Sequence, residues 1–300
     1  MVTLASEPLT ENLGVVVHEL NLAEPMDGDT FAAFRRLLAD HGILLVRKQT
    51  LTPRQQADIM RRFGDVLIAA RKQYNHPEDE AISRLGNARD ADGNPIAFMN
   101  EVGIEWHSDG TGRPYKEVIT SLYAVETPKV GGDTLYSNGA LAARTLPPAL
   151  RAKVAGRRAV YNYRVIHAKL TNASKNGVHL TEEEKARYRD VAHPILRPHP
   201  LTGVESVFIT PEEMCYIEGY SPEESYRIAL EIIEHATRPE FIYQHHYEVG
   251  DIMFHDNSSS LHSTTEYNYK DEVRLIHRAI AFRMAEMPEP VPAPVAAETV

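Results

Sequence analysis

The spacing of apolar and polar positions predicts a short α/β segment at the start of the chain. Apolar residues recur at helical spacing after an aspartate cap in one stretch, and again in a stretch that has Pro53 in its first turn and Gly64 after its end. Runs of β-branched and leucine residues precede and separate these helices. In order, the predicted elements within residues 10–65 are a strand at Gly14–Leu20, a helix at Asp29–His41, a strand at Gly42–Arg47 and a helix at Thr52–Phe63.

From about Ile82 onward, short β-like runs alternate with turn signals. The clearest predicted strands are Val118–Tyr123, Asp133–Ser137, Ser206–Ile209, Phe241–Tyr247, Asp251–Phe254 and Val273–Phe282. Two helices, Ala140–Val154 and Ser221–Ala236, interrupt them. Many short strands with few helices predict an α+β, mainly β protein built on a β-sandwich or jelly-roll core with flanking helices.

Two segments lack periodicity. Residues 168–190 are polar, and we expect a long loop that acts as a lid over the domain. Residues 287–300 are rich in proline and alanine, which predicts a disordered tail. Because no internal repeat or linker divides the remainder, we expect residues 1–286 to form a single domain.

Composition narrows the possible functions. Lys and Arg number 32 against 42 Asp and Glu, a formal charge of −10, which argues against a nucleic-acid binder but not against a small anion held in a local pocket. The single cysteine permits no internal disulfide and no Cys-based cluster, so a metal site must use His, Asp and Glu. No apolar run reaches the roughly 20 residues that cross a membrane, and no secretory signal is evident. We therefore expect a cytoplasmic protein, and the sequence leaves a homo-oligomer open.

Two separated motifs could supply metal ligands. In WHSD, His107 and Asp109 are two residues apart, so on a strand both side chains point the same way. Far downstream, GDIMFHDN followed by LH offers a second histidine, either His255 or His262. Two histidines and one carboxylate on one face of a metal leave three positions open, as in non-haem Fe(II) oxygenases. A surface or hydrogen-bonded pair is the alternative for the first motif, and coordination chemistry alone does not choose the second histidine.

Two arginines lie on one predicted strand. In VRLIHRAI, Arg274 and Arg278 share a face and lie roughly 13 Å apart at about 3.3 Å per residue. Two guanidinium groups on the inward face of an apolar strand are costly unless each meets an anion. The pair therefore indicates binding of acidic small molecules, with structural ion pairs or solvent exposure as the alternative.

With these motifs, the chain resembles a known family, the Fe(II)- and 2-oxoglutarate-dependent dioxygenases of the taurine dioxygenase type. This family includes chlorophenoxyacetate dioxygenases and alkylsulfatases. The resemblance extends from about Leu13 to Ala285. It rests on ordered motifs at matching separations: GILLVRKQTLTPRQQADIMRRFGD, WHSD, TPKVGGDTLYSN, HPILRPHPLTG, ATRPEF, GDIMFHDNSSSLH and RLIHRAI.

The resemblance implies a distorted double-stranded β-helix, or jelly-roll, that holds iron through His107, Asp109 and His262. It selects His262 because the distal ligand of the family follows its D-N segment by several residues. His255 falls where relatives often carry an aromatic residue, so we expect it to be a wall or packing residue.

The resemblance also implies the binding sites for the organic reactants. Thr134 and Arg274 match the positions that hold 2-oxoglutarate, and Arg278 matches a second arginine that contacts the acidic group of the substrate. The division of the two arginines between cosubstrate and substrate stays open, because their separation from His262 differs by one residue from that in the taurine enzyme. With O₂, the enzyme would oxidise a C–H bond of a small acid, most simply by hydroxylation, while 2-oxoglutarate becomes succinate and CO₂.

The substrate is expected to be a carboxylate, a sulfonate or a sulfate ester. Ala69 and Ala70 stand where the taurine enzyme has its sulfonate-binding histidine, so taurine itself is not expected. Arg71, Lys72 and Tyr74 are candidate substrate contacts, and a solvated basic patch is the competing interpretation. A second hypothesis for the whole protein is a non-catalytic jelly-roll that binds a metal and a small acid without turnover.

Overall fold

Helices flank β-sheets in the part of the chain that the structure, a computed structural model, describes. The described residues are 2–69, 71–99, 105–165, 181–183 and 188–284. The helices are α1 (Gly28–His41), α2 (Pro53–Arg61), α3 (Gly139–Thr145), α4 (Pro148–Val154) and α5 (Pro222–Ala236), with 3₁₀ turns at Lys72–Tyr74, Pro211–Glu213 and Pro239–Phe241. Most of the predicted lid, 168–180 and 184–187, and the predicted tail, 287–300, lie outside the described residues.

The strands in the same part of the chain are numbered in order. They are β1 (Ser6–Pro8), β2 (Val15–Val17), β3 (Ile43–Val46), β4 (Asp65–Val66), β5 (Asn75–His76), β6 (Asp79–Gly86), β7 (Tyr115–Glu126), β8 (Thr134–Asn138), β9 (Arg158–Tyr161), β10 (Val191–Pro194), β11 (Leu196–Pro198), β12 (Glu205–Val207), β13 (Met214–Ile217), β14 (Ile242–His245), β15 (Ile252–Asp256), β16 (Ser260–Thr264) and β17 (Leu275–Met284). The prediction of a mainly β protein is confirmed.

The N-terminal helices begin at side-chain caps. The carboxylate of Asp27 accepts a hydrogen bond from the Thr30 N–H, so α1 begins one residue before the predicted Asp29. Thr52 and Gln55 form a reciprocal capping box at the start of α2. Caps of this kind supply partners for backbone N–H groups that the first helical turn leaves unpaired.

One predicted helix is wrong in its extent. The helix expected at Ala140–Val154 is two helices, because Pro147 and Pro148 interrupt it. Proline has no N–H to donate, and its ring disfavours helical backbone at the residue before it. No helix in the described ranges is both long and apolar enough to span a membrane.

Two sheets enclose the interior in which the residues of the separate motifs meet. In the described part of the chain, the larger sheet has the order β1-β2-β3-β15-β7-β17-β6-β5, with β4 also paired to β17, and β14-β8-β16 form a separate three-stranded sheet. Apolar side chains from both sheets pack together in one cluster that includes Leu45, Leu122, Tyr136, Met253 and Ile276. Helices α1 and α2 contribute to a different cluster, with Phe34 and Met60, that also contains residues of the larger sheet. Strands β7, β8, β15, β16 and β17 therefore line the space between the two sheets.

Candidate metal centre and active site

The structure brings His107, Asp109 and His262 together, although the first two are far from the third in sequence. One potential ligand atom from each residue lies within 4.8 Å of the others. Asp109 and His107 belong to the turn before β7, whereas His262 is on β16. Two imidazoles and a carboxylate on one side of a shared point are a donor set suited to Fe(II).

Reciprocal backbone hydrogen bonds fix the two histidines side by side. The N–H of His107 donates to the carbonyl of His262 at 2.9 Å, and the N–H of His262 donates to the carbonyl of His107 at 2.8 Å. Their ring centroids are 4.0 Å apart. This isolated β-bridge fixes the backbone of both residues in register. The two rings are therefore held next to each other by backbone hydrogen bonds.

The ring nitrogens are arranged for metal binding. Nδ1 of His107 lies 2.8 Å from the carbonyl oxygen of Glu105, which can only accept, so Nδ1 carries the proton and Nε2 keeps a lone pair for a metal. His262 is buried, and its Nδ1 has no hydrogen-bond partner among the described residues. A buried imidazole nitrogen without a partner is costly, and it fits a site that is completed by a bound group.

A chain of hydrogen bonds orients Asp109. The Thr120 hydroxyl donates to Oδ2 of Asp109 at 2.8 Å, and Nδ2 of Asn257 donates to the Thr120 hydroxyl at 3.0 Å. Oδ1 of Asn257 accepts from the Asp109 N–H at 2.9 Å. With Oδ2 held by Thr120, the other carboxylate oxygen is available to a metal.

The local electrostatics favour the protonation states that bind metals. Burial alone would raise the pKa of Asp109, but the nearby His262, Arg278 and His107 hold it well below its ordinary value. Burial, together with repulsion from His107 and His255, lowers the pKa of His262 well below its ordinary value. A carboxylate and neutral imidazoles are the forms that coordinate a metal.

Removing the hydroxyl that orients Asp109 should weaken metal binding. We expect Thr120→Val, which keeps the side-chain shape, to reduce Fe(II) affinity by about tenfold to a hundredfold, since outer partners of metal ligands have effects of this size. Anaerobic titration with Fe(II) measures this affinity. Thr120→Ser retains the hydroxyl and should bind nearly as the wild type does. Equal affinity in the valine and serine variants would contradict the role of this hydrogen bond.

His255, the other candidate for the distal ligand, lies beside the three candidate ligands but outside their group. Its ring centroid is 4.6 Å from that of His262, and its side chain is fully buried. The set of mutually close ligand atoms among the described residues contains His262 and not His255. Burial lowers the pKa of His255 to about 4, which keeps the ring neutral at physiological pH.

The predicted 2-oxoglutarate arginine is a buried cation. Arg274 immediately precedes β17 and is 8% exposed. Its Nε donates to the Gly132 carbonyl at 2.9 Å, and no carboxylate of a described residue lies within ion-pair distance. Gly132 has a φ of +68°, and a Cβ there would lie 3.0 Å from Cδ of Arg274, so glycine permits this close approach. A buried guanidinium without an acidic partner requires an anion.

Hydroxyl groups lie on the same side of the interior as Arg274. Thr134, on β8, is fully buried, and its hydroxyl is 3.0 Å from the Tyr247 hydroxyl. The Tyr136 hydroxyl lies 3.4 Å from that of Tyr247. Burial raises the pKa of Tyr247, while the positive charge of Arg274 acts in the opposite direction. Thr134, Tyr247 and Arg274 thus form a polar end to an otherwise apolar space, as a dicarboxylate would need.

The second arginine lies nearer the three ligands. Arg278 is on β17, partly buried, and its positive charge lowers the pKa of both Asp109 and His255. Its neighbours in register are Ser83 on β6 and Leu122 on β7. The structure therefore places one arginine at the polar end of the interior and the other close to the three candidate metal ligands.

The predicted basic patch is grouped around an aromatic ring. The Arg71 guanidinium lies 4.1 Å from the ring centroid of Phe98, and the Tyr74 ring is 5.8 Å from the same ring. Lys72 is exposed. Cation–π contact accounts for Arg71 without a substrate, so a substrate role for these three residues stays a prediction.

Some residues of the site have no sequence signal strong enough to identify them. Thr120 lies within an apolar strand, and nothing in its spacing marks it as the partner of Asp109. Tyr247 is one of 14 tyrosines. Asn257 was detectable in principle, because it follows Asp256 in the segment that leads to His262, but its contact with the Asp109 backbone depends on the tertiary fold.

Comparison with known proteins matches most of the chain. The family model described as "Taurine catabolism dioxygenase TauD, TfdA family" matches residues 5–280. An alpha-ketoglutarate-dependent 2,4-dichlorophenoxyacetate dioxygenase of Cupriavidus pinatubonensis is 26% identical over 89% of this chain and 93% of its own. An (S)-phenoxypropionate/alpha-ketoglutarate-dioxygenase of Sphingobium herbicidovorans is 28% identical over 91% of this chain and 93% of its own.

A solved structure shows the same fold. The structure of AAD-2 in complex with Mn(II) and N-oxalylglycine has a TM-score of 0.75 and 21% identity, and the match covers 97% of this chain and 100% of that one. The predicted jelly-roll core is therefore confirmed.

Proposed function

Because the chain belongs to the TauD, TfdA family of dioxygenases, we propose that His107, Asp109 and His262 hold its Fe(II), and that Thr134 and Arg274 hold its 2-oxoglutarate. The chain is a 2-oxoglutarate-dependent dioxygenase that acts on a small organic substrate with iron and O₂, and the catalytic hypothesis is favoured over a non-catalytic binding protein. The observation that supports the site assignment best is the convergence of three ligand atoms within 4.8 Å beside a buried arginine without an acidic partner.

Iron held by these three residues would supply the redox chemistry that oxidises a C–H bond with 2-oxoglutarate and O₂. The protein's residues set up those positions in advance. The backbone bridge between His107 and His262 and the Thr120 hydroxyl on Asp109 fix the three ligands on one side. With the three residues fixed in this way, both reactants can be oriented before they react.

The far carboxylate of 2-oxoglutarate would meet Arg274 and the Thr134 hydroxyl. A guanidinium forms charge-assisted hydrogen bonds with a carboxylate, and burial strengthens them. The apolar residues around this end, such as Ile276 and Leu122, exclude water from the complex. Anchoring one end in this way leaves the oxo-acid end to reach the metal.

The substrate that we propose is a small acid oxidised at a C–H bond near its acidic group, by hydroxylation. Arg278 supports this, because its partly buried charge lies near Asp109 and forms no ion pair with a described residue. The two relatives named above are dioxygenases of carboxylic acids that carry an aryloxy group. A sulfonate or a sulfate ester carries the same negative charge, so these compounds are a second class of candidate substrate in the screen described below.

We also propose that residues 1–286 form one domain and that the protein works in the cytoplasm. The match of one family model to residues 5–280 supports a single domain. The lone Cys215 and the absence of a spanning helix in the described ranges are compatible with the location.

A substrate screen tests the proposed function. The Fe(II)-loaded protein, 2-oxoglutarate and O₂ are incubated with small carboxylates, aryloxy acids, sulfonates and sulfate esters, and succinate release is measured. We expect at least one acid to stimulate release well above the rate without substrate, with an oxidised product in matching amount. Stimulation only by uncharged analogues would contradict an acidic substrate.

Once a substrate is found, Arg278→Ala should raise its KM by about a hundredfold, since losing one partner of a buried charge pair costs a few kcal/mol. The Kd for 2-oxoglutarate should change little. Arg278→Lys keeps the positive charge but loses the planar pair of guanidinium donors. Its KM for the substrate should fall between those of the wild type and Arg278→Ala. If Arg278→Ala weakens 2-oxoglutarate and leaves the substrate unaffected, the two arginines have exchanged roles.

A further inference from the structure

His255 is a buried side chain whose two ring nitrogens are left without hydrogen bonds to described residues. The residue is on β15, between Ile43 of β3 and Thr120 of β7, and is 0% exposed. Neither Nδ1 nor Nε2 has a hydrogen-bond partner among the described residues. A neutral imidazole has one N–H donor and one acceptor, and burying both unpaired is costly.

Other buried histidines of this fold show what a purely structural role looks like. Nε2 of His193 meets the carbonyls of Thr111 and Arg113, both at 3.0 Å. His199 donates to Asp256 at 2.8 Å. Each of these rings has at least one nitrogen that is hydrogen-bonded within the protein, whereas His255 has none among the described residues, which indicates a partner that is not part of the chain.

The surroundings of His255 locate that partner at the metal. Its ring centroid is 4.6 Å from that of His262 and 5.2 Å from that of Tyr136. The charged side chains near it include Asp109, Asp256 and Arg278. His255 nevertheless lies outside the group of mutually close ligand atoms, so its position suits contact with a molecule on the metal rather than with the metal.

The polar groups beyond Tyr136 indicate which molecule this is. The Tyr247 hydroxyl lies 3.4 Å from that of Tyr136 and 3.0 Å from that of Thr134. Arg274 is close enough for its positive charge to oppose the rise that burial causes in the pKa of Tyr247. The interior thus runs from His262 and His255, past Tyr136, to the arginine that anchors a far carboxylate. A 2-oxo dicarboxylate laid along this path has its oxo-acid end beside His255.

We infer that His255 donates a hydrogen bond to the metal-chelating carboxylate of 2-oxoglutarate and so positions the oxo-acid end of the cosubstrate. This inference rests on the proposed function. It assigns His255 a binding contact beyond the wall or packing role expected from the sequence. An aromatic carbocycle at this place would fill the space and make no such bond.

Two matched variants test the inference. His255→Phe keeps a planar ring without a donor, and His255→Gln keeps an N–H donor. Anaerobic titrations measure the Kd for Fe(II), and then the Kd for 2-oxoglutarate and the position of the visible charge-transfer band of the complex. We expect His255→Phe to bind Fe(II) as the wild type does, to bind 2-oxoglutarate about tenfold more weakly, and to show a displaced band. His255→Gln should restore most of the 2-oxoglutarate affinity and bring the band back towards its wild-type position.

The possible outcomes are separable. Unchanged 2-oxoglutarate affinity and band in His255→Phe would overturn the inference, as would loss of Fe(II) binding in both variants. Absence of the band in the wild type would instead overturn the proposed function. Circular dichroism checks folding. If the phenylalanine variant does not fold, His255→Leu and His255→Asn provide a second pair, of which only asparagine can donate and should retain the higher affinity.

Discussion

His262→Ala is expected to remove Fe(II) binding and, with it, all succinate formation. The variant retains His107 and Asp109, one imidazole and one carboxylate, which is too small a donor set to hold Fe(II) in competition with water. Loss of an outer partner already costs about tenfold to a hundredfold in metal affinity, so loss of a ligand should cost more than a hundredfold. Anaerobic Fe(II) titration and succinate release measure the two effects.

Two histidine variants are matched controls for this experiment. His18→Ala removes an exposed imidazole whose Nε2 lies 3.1 Å from the Glu7 carboxylate, and both metal binding and turnover should be unchanged. His255→Ala removes the buried ring nearest His262, and Fe(II) binding should persist. If His255→Ala loses the metal and His262→Ala retains it, the distal ligand is His255 and the assignment is wrong.

Arg274→Leu is expected to raise the Kd for 2-oxoglutarate by about a hundredfold to several thousandfold, since removing one partner of a buried charge pair costs about 3–5 kcal/mol. The only protein hydrogen bond of the guanidinium among the described residues is from Nε to the Gly132 carbonyl, so its remaining N–H groups are available to a carboxylate. Fe(II) affinity should be unaffected, because Arg274 is outside the group of metal ligands.

The lysine variant distinguishes charge from geometry at this position. Arg274→Lys keeps the positive charge but loses the paired donors, and its Kd should fall between those of the wild type and the leucine variant. Arg278→Ala is the companion control, since it should affect the acidic substrate far more than 2-oxoglutarate. A leucine variant that binds 2-oxoglutarate as tightly as the wild type does would contradict Arg274 as the anchor.

Local sequence was sufficient for much of the fold because caps and apolar spacing act over a few residues. Thr52 and Ser221 each cap a helix through a capping box, and both helices start one residue after the first residue of the predicted range. The helix expected across Pro147 and Pro148 was wrong although its breaking signal was also local.

The candidate site could be predicted only in part. The spacing of His107 and Asp109 predicts two ligands, but the choice between His255 and His262 depends on which strand faces which, and only the family resemblance provided it. In the structure, a backbone bridge joins His107 to His262, and His262 rather than His255 belongs to the group of mutually close potential ligand atoms among the described residues. Thr120 could not be found, because its contact with Asp109 joins a strand to a preceding turn through tertiary packing.

The most direct test of the site is an anaerobic titration of the Fe(II)-loaded protein with 2-oxoglutarate, followed by visible absorption. We expect a weak charge-transfer band that saturates in the wild type, is absent in His262→Ala, and requires far more 2-oxoglutarate in Arg274→Leu. Tight Fe(II) binding without any band at saturating 2-oxoglutarate would contradict a metal centre formed by His107, Asp109 and His262 that receives this cosubstrate.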